Sequence, residues 1–64
     1  MNELMIILRG GSYLYFKTAY RQADKAFDDF LEACEIARIN VDNLDFFEAV
    51  LRNEDGKDID SIKL

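Results

Sequence analysis

The sequence contains no histidine and a single cysteine, and these absences remove most catalytic and metal-binding chemistry. Without histidine, a serine or cysteine triad has no usual base. Cys34 alone can form neither a disulfide within the chain nor a structural zinc site. Its position on an apolar helical stripe predicts a small buried side chain, because a reactive thiol would need a basic or helix-N-terminal setting. We therefore expect a protein that is not an enzyme and that holds no metal or cofactor.

The chain also lacks a long hydrophobic run and an excess of basic residues. The apolar run Leu4–Leu8 is too short to cross a bilayer and has no signal-peptide features around it. Thirteen acidic residues against eight basic ones give a net charge of −5. Direct nucleic-acid binding needs lysine and arginine to neutralise phosphate, so this balance argues against it. We expect a cytoplasmic protein that binds neither a membrane nor nucleic acid directly.

Glycine is scarce as well, and its only pair, Gly10-Gly11, lacks the lysine and helix that follow a phosphate-binding loop. Residues 1–64 are half hydrophobic, a globular composition, and are long enough for a single domain. Such a domain holds one layer of helix on one layer of sheet. Without disulfides or a metal, domains of this size often gain stability by self-association.

The most regular stretch, Tyr20–Arg38, predicts an amphipathic helix. Thr18 is a candidate N-cap, and Asn40 is a candidate for the left-handed residue that ends the helix. Ile36 and Ile39 fall away from the apolar stripe, so either the last turn of the helix unwinds, or a later segment or a partner covers them. Apolar residues recur at steps of three and four: Tyr20, Ala23, Phe27, Phe30, Leu31, Cys34 and Ala37.

The first segment predicts a β-hairpin around Gly10-Gly11. A pair of glycines suits a two-residue type I′ turn, which would place Arg9 opposite Ser12 and so fix the register. Opposite residues share a face of the sheet. One predicted face, the seat for the helix, carries Met5, Ile7, Leu14 and Phe16. The other carries Leu4, Ile6, Leu8, Tyr13, Tyr15 and Lys17.

Residues 44–64 fit two descriptions. Asn53 to Gly56 matches a type I turn with a G1 bulge, which closes a three-residue hairpin loop. Such a hairpin would pair Arg52 with Asp58 and Leu51 with Ile59, and would need an irregularity near Phe46-Phe47. The rival is a second helix over residues 43–52. The favoured fold is α+β in the order ββαββ, an antiparallel sheet of about four strands with one helix on one face; the rival order is ββααβ.

Two surfaces are candidates for function. The second face of the first hairpin is an apolar patch with phenol tips, and its predicted contact residues are Ile6, Leu8, Tyr13 and Tyr15. Patches of this kind often mark interfaces. Either the C-terminal segment covers the patch, or a second copy or another partner does.

The other candidate surface is an acidic ridge along the exposed side of the helix, formed by Asp24, Asp28, Glu32 and Glu35. Its simplest interpretation is a solvated face. The alternative is a surface held for a basic protein, imitating the charge of nucleic acid.

In size, acidity and the order hairpin, acidic helix, hairpin, the chain resembles the small uncharacterised proteins of bacterial phages, prophages and plasmids. That resemblance implies an intracellular accessory role. We expect a non-enzymatic protein-interaction module that forms a homodimer. The alternative is an acidic inhibitor that occupies the nucleic-acid site of a basic DNA- or RNA-binding host protein.

Overall fold

The computed structural model describes all 64 residues and confirms the ββαββ order. The elements are β1 (Asn2–Leu8), β2 (Tyr13–Thr18), α1 (Ala23–Ile36), β3 (Phe46–Arg52) and β4 (Asp58–Lys63). The strands form one antiparallel sheet in the order β2-β1-β3-β4. The helix covers one face, and strand β3 occupies residues 46–52 of the segment that the rival second helix would have used.

The first hairpin closes through a three-residue loop, not the predicted two-residue turn. Leu8 N–H donates to the Ser12 carbonyl at 2.9 Å, and Gly11 N–H donates to the Leu8 carbonyl at 3.0 Å. Only Gly11 has positive φ, at 91°, whereas a type I′ turn would need it at Gly10 too. The loop is therefore a type I turn followed by a glycine bulge, with Arg9 as its first residue.

This extra loop residue shifts the register by one and exchanges the faces of β1. Leu4 pairs with Phe16 and Ile6 with Leu14, so Leu4 and Ile6 point toward the helix. Because side chains alternate along a strand, a slip of one residue moves every side chain of β1 to the opposite face. The predicted seat of the helix, with Met5 and Ile7, is therefore wrong.

The second hairpin has the predicted loop but a different register beyond it. Asn53 N–H bonds the Lys57 carbonyl at 2.9 Å, Gly56 has φ of 81°, and the Asn53 side chain accepts N–H groups across the loop. Arg52 pairs with Asp58 as expected. A bulge at Ile59 then places Asp60, not Ile59, opposite Leu51.

A second bulge lies at Phe47 in β3, where Ile7 pairs with Glu48 but Leu8 pairs with Phe46. It matches the irregularity that a strand here required. The bulge lets Phe46 join the core beneath the helix while Phe47, its neighbour, stays at the surface with 37% exposure. Both aromatic rings are thereby accommodated at one end of the sheet.

The helix begins at Ala23, later than predicted. Its first N–H is capped by a side chain of β4 and not by Thr18. Thr18 is buried and its hydroxyl accepts the Tyr20 N–H, which makes a turn before the helix. Gln22 stands at the N-cap without a side-chain hydrogen bond. Instead, Asp60 of β4 accepts the Ala23 N–H at 2.7 Å. A carboxylate at this position satisfies a free N–H and complements the helix dipole.

The helix ends at Ile36, and the left-handed residue that terminates it is Arg38, not Asn40. Arg38 has φ of 59°, the left-handed conformation usually taken by glycine. Its N–H bonds the Glu35 carbonyl at 3.1 Å, and the Ile39 N–H bonds the Cys34 carbonyl at 2.8 Å. These two bonds form a Schellman motif, which satisfies carbonyls that the helix leaves free.

The core lies between α1 and the two central strands. Cys34 is buried in it, as predicted. Within the core, four phenylalanine rings make edge-on or tilted contacts with one another, with centroids 5.3–6.2 Å apart: Phe16, Phe27, Phe30 and Phe46. Its buried members are Leu4, Ile6, Ala23, Ala26, Phe30, Cys34, Ala49 and Leu51.

Candidate protein-binding surface

The face of the sheet opposite the helix, here called the open face, is bare. The C-terminal hairpin extends the sheet beside β1 and does not fold over this face. Strand pairing arranges its side chains in three rows that run across β2, β1, β3 and β4 in that order. The first row is Tyr13, Ile7, Glu48 and Lys63; the second is Tyr15, Met5, Val50 and Ser61; the third is Lys17, Glu3, Arg52 and Asp58.

The middle of the open face is apolar with polar tips. Tyr13 and Tyr15 on the outer strand β2 are 53% and 60% exposed. Met5, Ile7 and Val50 on the central strands are half-buried by their neighbours. Tyrosine presents a large apolar ring and a hydroxyl that can bond to a partner, so it suits a surface that alternates between solvent and an interface.

The third row of the open face, here called the charged row, alternates in sign across the sheet. Lys17 Nζ lies 3.3 Å from Glu3 Oε2, and Arg52 Nε lies 2.9 Å from Asp58 Oδ1. The order across the strands is therefore positive, negative, positive, negative. Each pair is partly exposed to solvent, so neither contributes much to stability by itself.

The charged row continues into the loop of the second hairpin. The N-terminal amino group of Met1 forms an ion pair with Glu54, and this bond holds the pKa of the Glu54 carboxyl below its ordinary value. Lys17 adds a smaller attraction in the same direction. This end of the open face is a shallow polar depression without a hydrophobic wall.

At the opposite end of the open face, Phe47 lies between two cations. The Arg9 guanidinium is 5.2 Å and the Lys63 ammonium 5.0 Å from the centre of its ring. Arg9 also bonds Asp45 at 3.2 Å, and Lys63 approaches Glu48 at 3.3 Å. These contacts hold the Phe47 ring at this end of the sheet beside Ile7, where it extends the apolar area of the open face.

The predicted contact residues separate into two groups. Tyr13 and Tyr15 lie on the open face. Ile6 is wholly buried under the helix, so its placement on the tyrosine face is wrong. Leu8 is half-buried beside the bulge, where it pairs with Phe46 and lines a shallow depression with Ile7 and Phe47. The physical reason is the register shift at the first loop.

Sequence reasoning assigned Met5 and Ile7 to the wrong face and did not place Val50 on a surface. The alternation of Met5 and Ile7 with Leu4 and Ile6 has period two, but both sets are apolar. Hydrophobicity alone therefore could not choose between the faces of β1. If Arg9 to Gly11 had been interpreted as a three-residue loop, Met5 and Ile7 would have been assigned to the correct face.

The acidic ridge lies on the other side of the molecule, along the outer surface of α1. All four of its residues, Asp24, Asp28, Glu32 and Glu35, are exposed, and none forms an ion pair within the chain. Beyond its C-terminal end, Ile36 and Ile39 are 76% and 58% exposed. The later segment leaves both isoleucines accessible.

No cluster of three or more carboxylates and thiols is arranged to hold a metal ion. The helix is too short and too polar to cross a lipid bilayer. Comparison of the chain with protein-family models, curated proteins and solved structures gave no match.

Proposed function

We propose that this protein is a non-enzymatic interaction module that binds protein through the open face and self-associates there. The observation that carries the proposal is the contiguous patch of Tyr13, Tyr15, Met5, Ile7 and Val50, which no part of the chain covers. Exposed apolar patches bordered by polar residues mark interaction sites. Charged side chains border this patch at both ends.

The setting we propose is the bacterial cytoplasm, with an accessory role of the kind that the sequence resemblance implies. A small domain gains from association because burial of apolar area lowers the free energy of the folded state by about 25 cal/mol per Å². The two exposed tyrosines supply much of that area.

Molar mass in solution tests the proposal. Tyr15→Asp places a charge in the apolar middle row of the open face, and we expect it to abolish association while the helical circular-dichroism signal is kept. Tyr20→Asp is the matched control, because Tyr20 is 46% exposed but lies before the helix, outside the open face. Light scattering after size-exclusion chromatography reports both. Association that survives Tyr15→Asp, or that is lost equally in Tyr20→Asp, contradicts the proposal.

A second candidate function uses the acidic ridge as an inhibitor of a basic nucleic-acid-binding protein. The observation in its favour is that its four carboxylates have no cationic partner within the chain. The like-charge pairs Asp24–Asp28 and Asp28–Glu32 each cost the helix about 0.2–0.5 kcal/mol, a cost that a cationic partner would remove.

The test of this second function is displacement of duplex DNA from a basic DNA-binding protein of the host. Asp28→Lys with Glu32→Lys should weaken displacement, and so should added salt, because exposed charges are screened. The matched control is Asp42→Lys with Asp55→Lys, because these two exposed carboxylates lie outside the helix and also form no ion pair. Displacement that is unaffected by charge reversal on the helix contradicts this function.

A further inference from the structure

We propose that the partner on the open face is a second copy of this chain, related by a two-fold axis that runs parallel to the strands between two stacked sheets. This inference rests on the proposed function and specifies its partner and geometry. It follows from the order of charges in the charged row. Rotation about this axis reverses the order of the strands, so β2 lies over β4 of the second copy and β1 lies over its β3.

The charged row is complementary to itself under this operation. Its order is Lys17, Glu3, Arg52, Asp58. Reversing that order places Lys17 over the second copy's Asp58 and Glu3 over its Arg52. Every cation then meets an anion, and the symmetry produces each contact twice. Complementary charges of this kind fix the orientation and register of an interface more than its affinity.

The second row fits the same operation without charge. Met5 lies over the second copy's Val50, and Tyr15 over its Ser61, whose hydroxyl can bond the phenol. Two sheets packed face to face keep their strands within about 30° of each other, which this axis allows.

The first row adds less to the interface than the other two. Tyr13 lies over the second copy's Lys63, a cation beside an aromatic ring. Ile7 lies over the second copy's Glu48, an apolar side chain against a carboxylate. Glu48 keeps its ion pair with Lys63 of its own chain at 3.3 Å, so its charge is already balanced. The specificity of this arrangement therefore comes from the charged row.

An axis perpendicular to the strands would be the other symmetric way to stack these sheets. It places the charged row over the first row, so that Glu3 meets Ile7 and gains no ionic partner from the second copy. In that arrangement Arg52 would meet Glu48 and Asp58 would meet Lys63, so these two positions would gain opposite-charge contacts with either axis. The two geometries therefore make opposite predictions about Glu3, which contacts a charge of the second copy only when the axis is parallel to the strands.

The size of the open face sets the expected affinity. Four strands about 4.8 Å apart and roughly six residues long give a footprint of about 20 by 20 Å. That projected area of about 400 Å² can supply an interface only at the lower end of the usual range, in which a standard interface buries roughly 800 Å² of accessible surface per partner, so we expect a dimer that dissociates on dilution. Measurement therefore requires a concentration series, by light scattering or sedimentation equilibrium.

A charge-exchange experiment tests the geometry. In a dimer of identical chains, Glu3→Arg sets the new guanidinium against Arg52, and Arg52→Glu sets the new carboxylate against Glu3. We expect each variant alone to raise the dimer dissociation constant at least tenfold. An equimolar mixture of the two variants restores opposite-charge contacts between the copies at these positions, so we expect a heterodimer of wild-type strength. The repulsion within each chain is unchanged by mixing, so recovery can come only from contacts between copies.

Circular dichroism checks that each variant is folded. The outer pair, Lys17→Glu and Asp58→Lys, supplies a second set with the same logic at side chains that are 67% and 63% exposed and tolerate substitution. Dimerisation of Glu3→Arg alone at wild-type strength, or a mixture that fails to recover, overturns the inference. In either case the proposed function survives if Tyr15→Asp still abolishes association. A wild-type chain that stays monomeric at all concentrations also overturns it, and leaves the open face to a different protein.

Discussion

Adjacent isoleucines on β1 allow a direct test of the register. Ile6 is wholly buried between the sheet and the helix, whereas Ile7 lies half-buried on the open face. The two side chains are chemically identical and belong to the same strand, so strand propensity and local sequence are closely matched. Replacement of each by valine, and separately by alanine, measures which face of β1 belongs to the core.

The expected costs differ severalfold. Removal of one methyl group from Ile6 should lower the free energy of unfolding by about 0.5–1.5 kcal/mol, and truncation to alanine by about 2–5 kcal/mol. At Ile7 only part of each group is buried and solvent fills the space, so valine should cost less than about 0.4 kcal/mol and alanine about 1 kcal/mol. A domain of this length has a stability of only about 3–10 kcal/mol, so Ile6→Ala removes a large share.

Urea unfolding followed by circular dichroism measures these costs. The comparison is made at protein concentrations where the midpoint no longer changes on dilution, because association would otherwise add to the stability. For a domain of this size, 1 kcal/mol also shifts the melting temperature by about 4–8 °C. Thermal melts therefore give an independent measure of the same difference.

The reverse order of costs at Ile6 and Ile7 would refute this assignment of the faces of β1. If Ile7→Val costs as much as Ile6→Val or more, the side of β1 that carries Met5 and Ile7 faces the helix. The first hairpin would then close through the two-residue turn that the glycine pair suggests. The charged row would no longer share a face with the apolar patch, and the dimer geometry would fail with it.

Five further substitutions, two of them controls, test the loop and the two helix ends, each by urea unfolding. Gly11→Ala should destabilise the protein by about 1–2 kcal/mol because Gly11 has φ of 91°. Gly10→Ala should be neutral or slightly stabilising. Equal losses of stability in the two variants would indicate a type I′ turn. Asp60→Ala should cost about 1–2 kcal/mol because it removes the acceptor for the first helical N–H. Asp58→Ala breaks only an exposed ion pair and should cost less than about 1 kcal/mol. Similar costs would show that the Asp60 cap does not stabilise the helix. Arg38→Gly should stabilise by about 0.5–1 kcal/mol, since glycine takes the left-handed conformation without a Cβ clash, and a loss of stability would contradict the Schellman ending.

Several features could be predicted from the sequence because their causes are local. The helical period between Ala23 and Ile36 specifies one amphipathic helix, and the order of turn residues from Asn53 to Gly56 specifies the second hairpin loop. The burial of Cys34 follows from its place on the apolar stripe. The exposure of the acidic ridge follows from the same period.

The candidate site was only partly predictable, because its composition depends on one loop. Tyr13 and Tyr15 were correctly expected on an accessible face, since β2 alternates with Leu14 and Phe16. The facing residues of β1 were not, because both of its sides are apolar and the pattern therefore carries no preference. A single added residue between the strands decided which side faces the helix.

The sequence by itself determined the first hairpin, the helix and the loop of the second hairpin, because helical and strand periodicities and turn residues act over a few neighbouring positions; it left residues 43–52 open between strand and helix. The tertiary structure alone decided the strand order, the bulge at Ile59 and the capping of Ala23 by Asp60. Each of these joins residues distant in the chain, where packing of whole elements outweighs local preference. The alternating charges of the open face arise in the same way, from strands that meet only in the folded sheet.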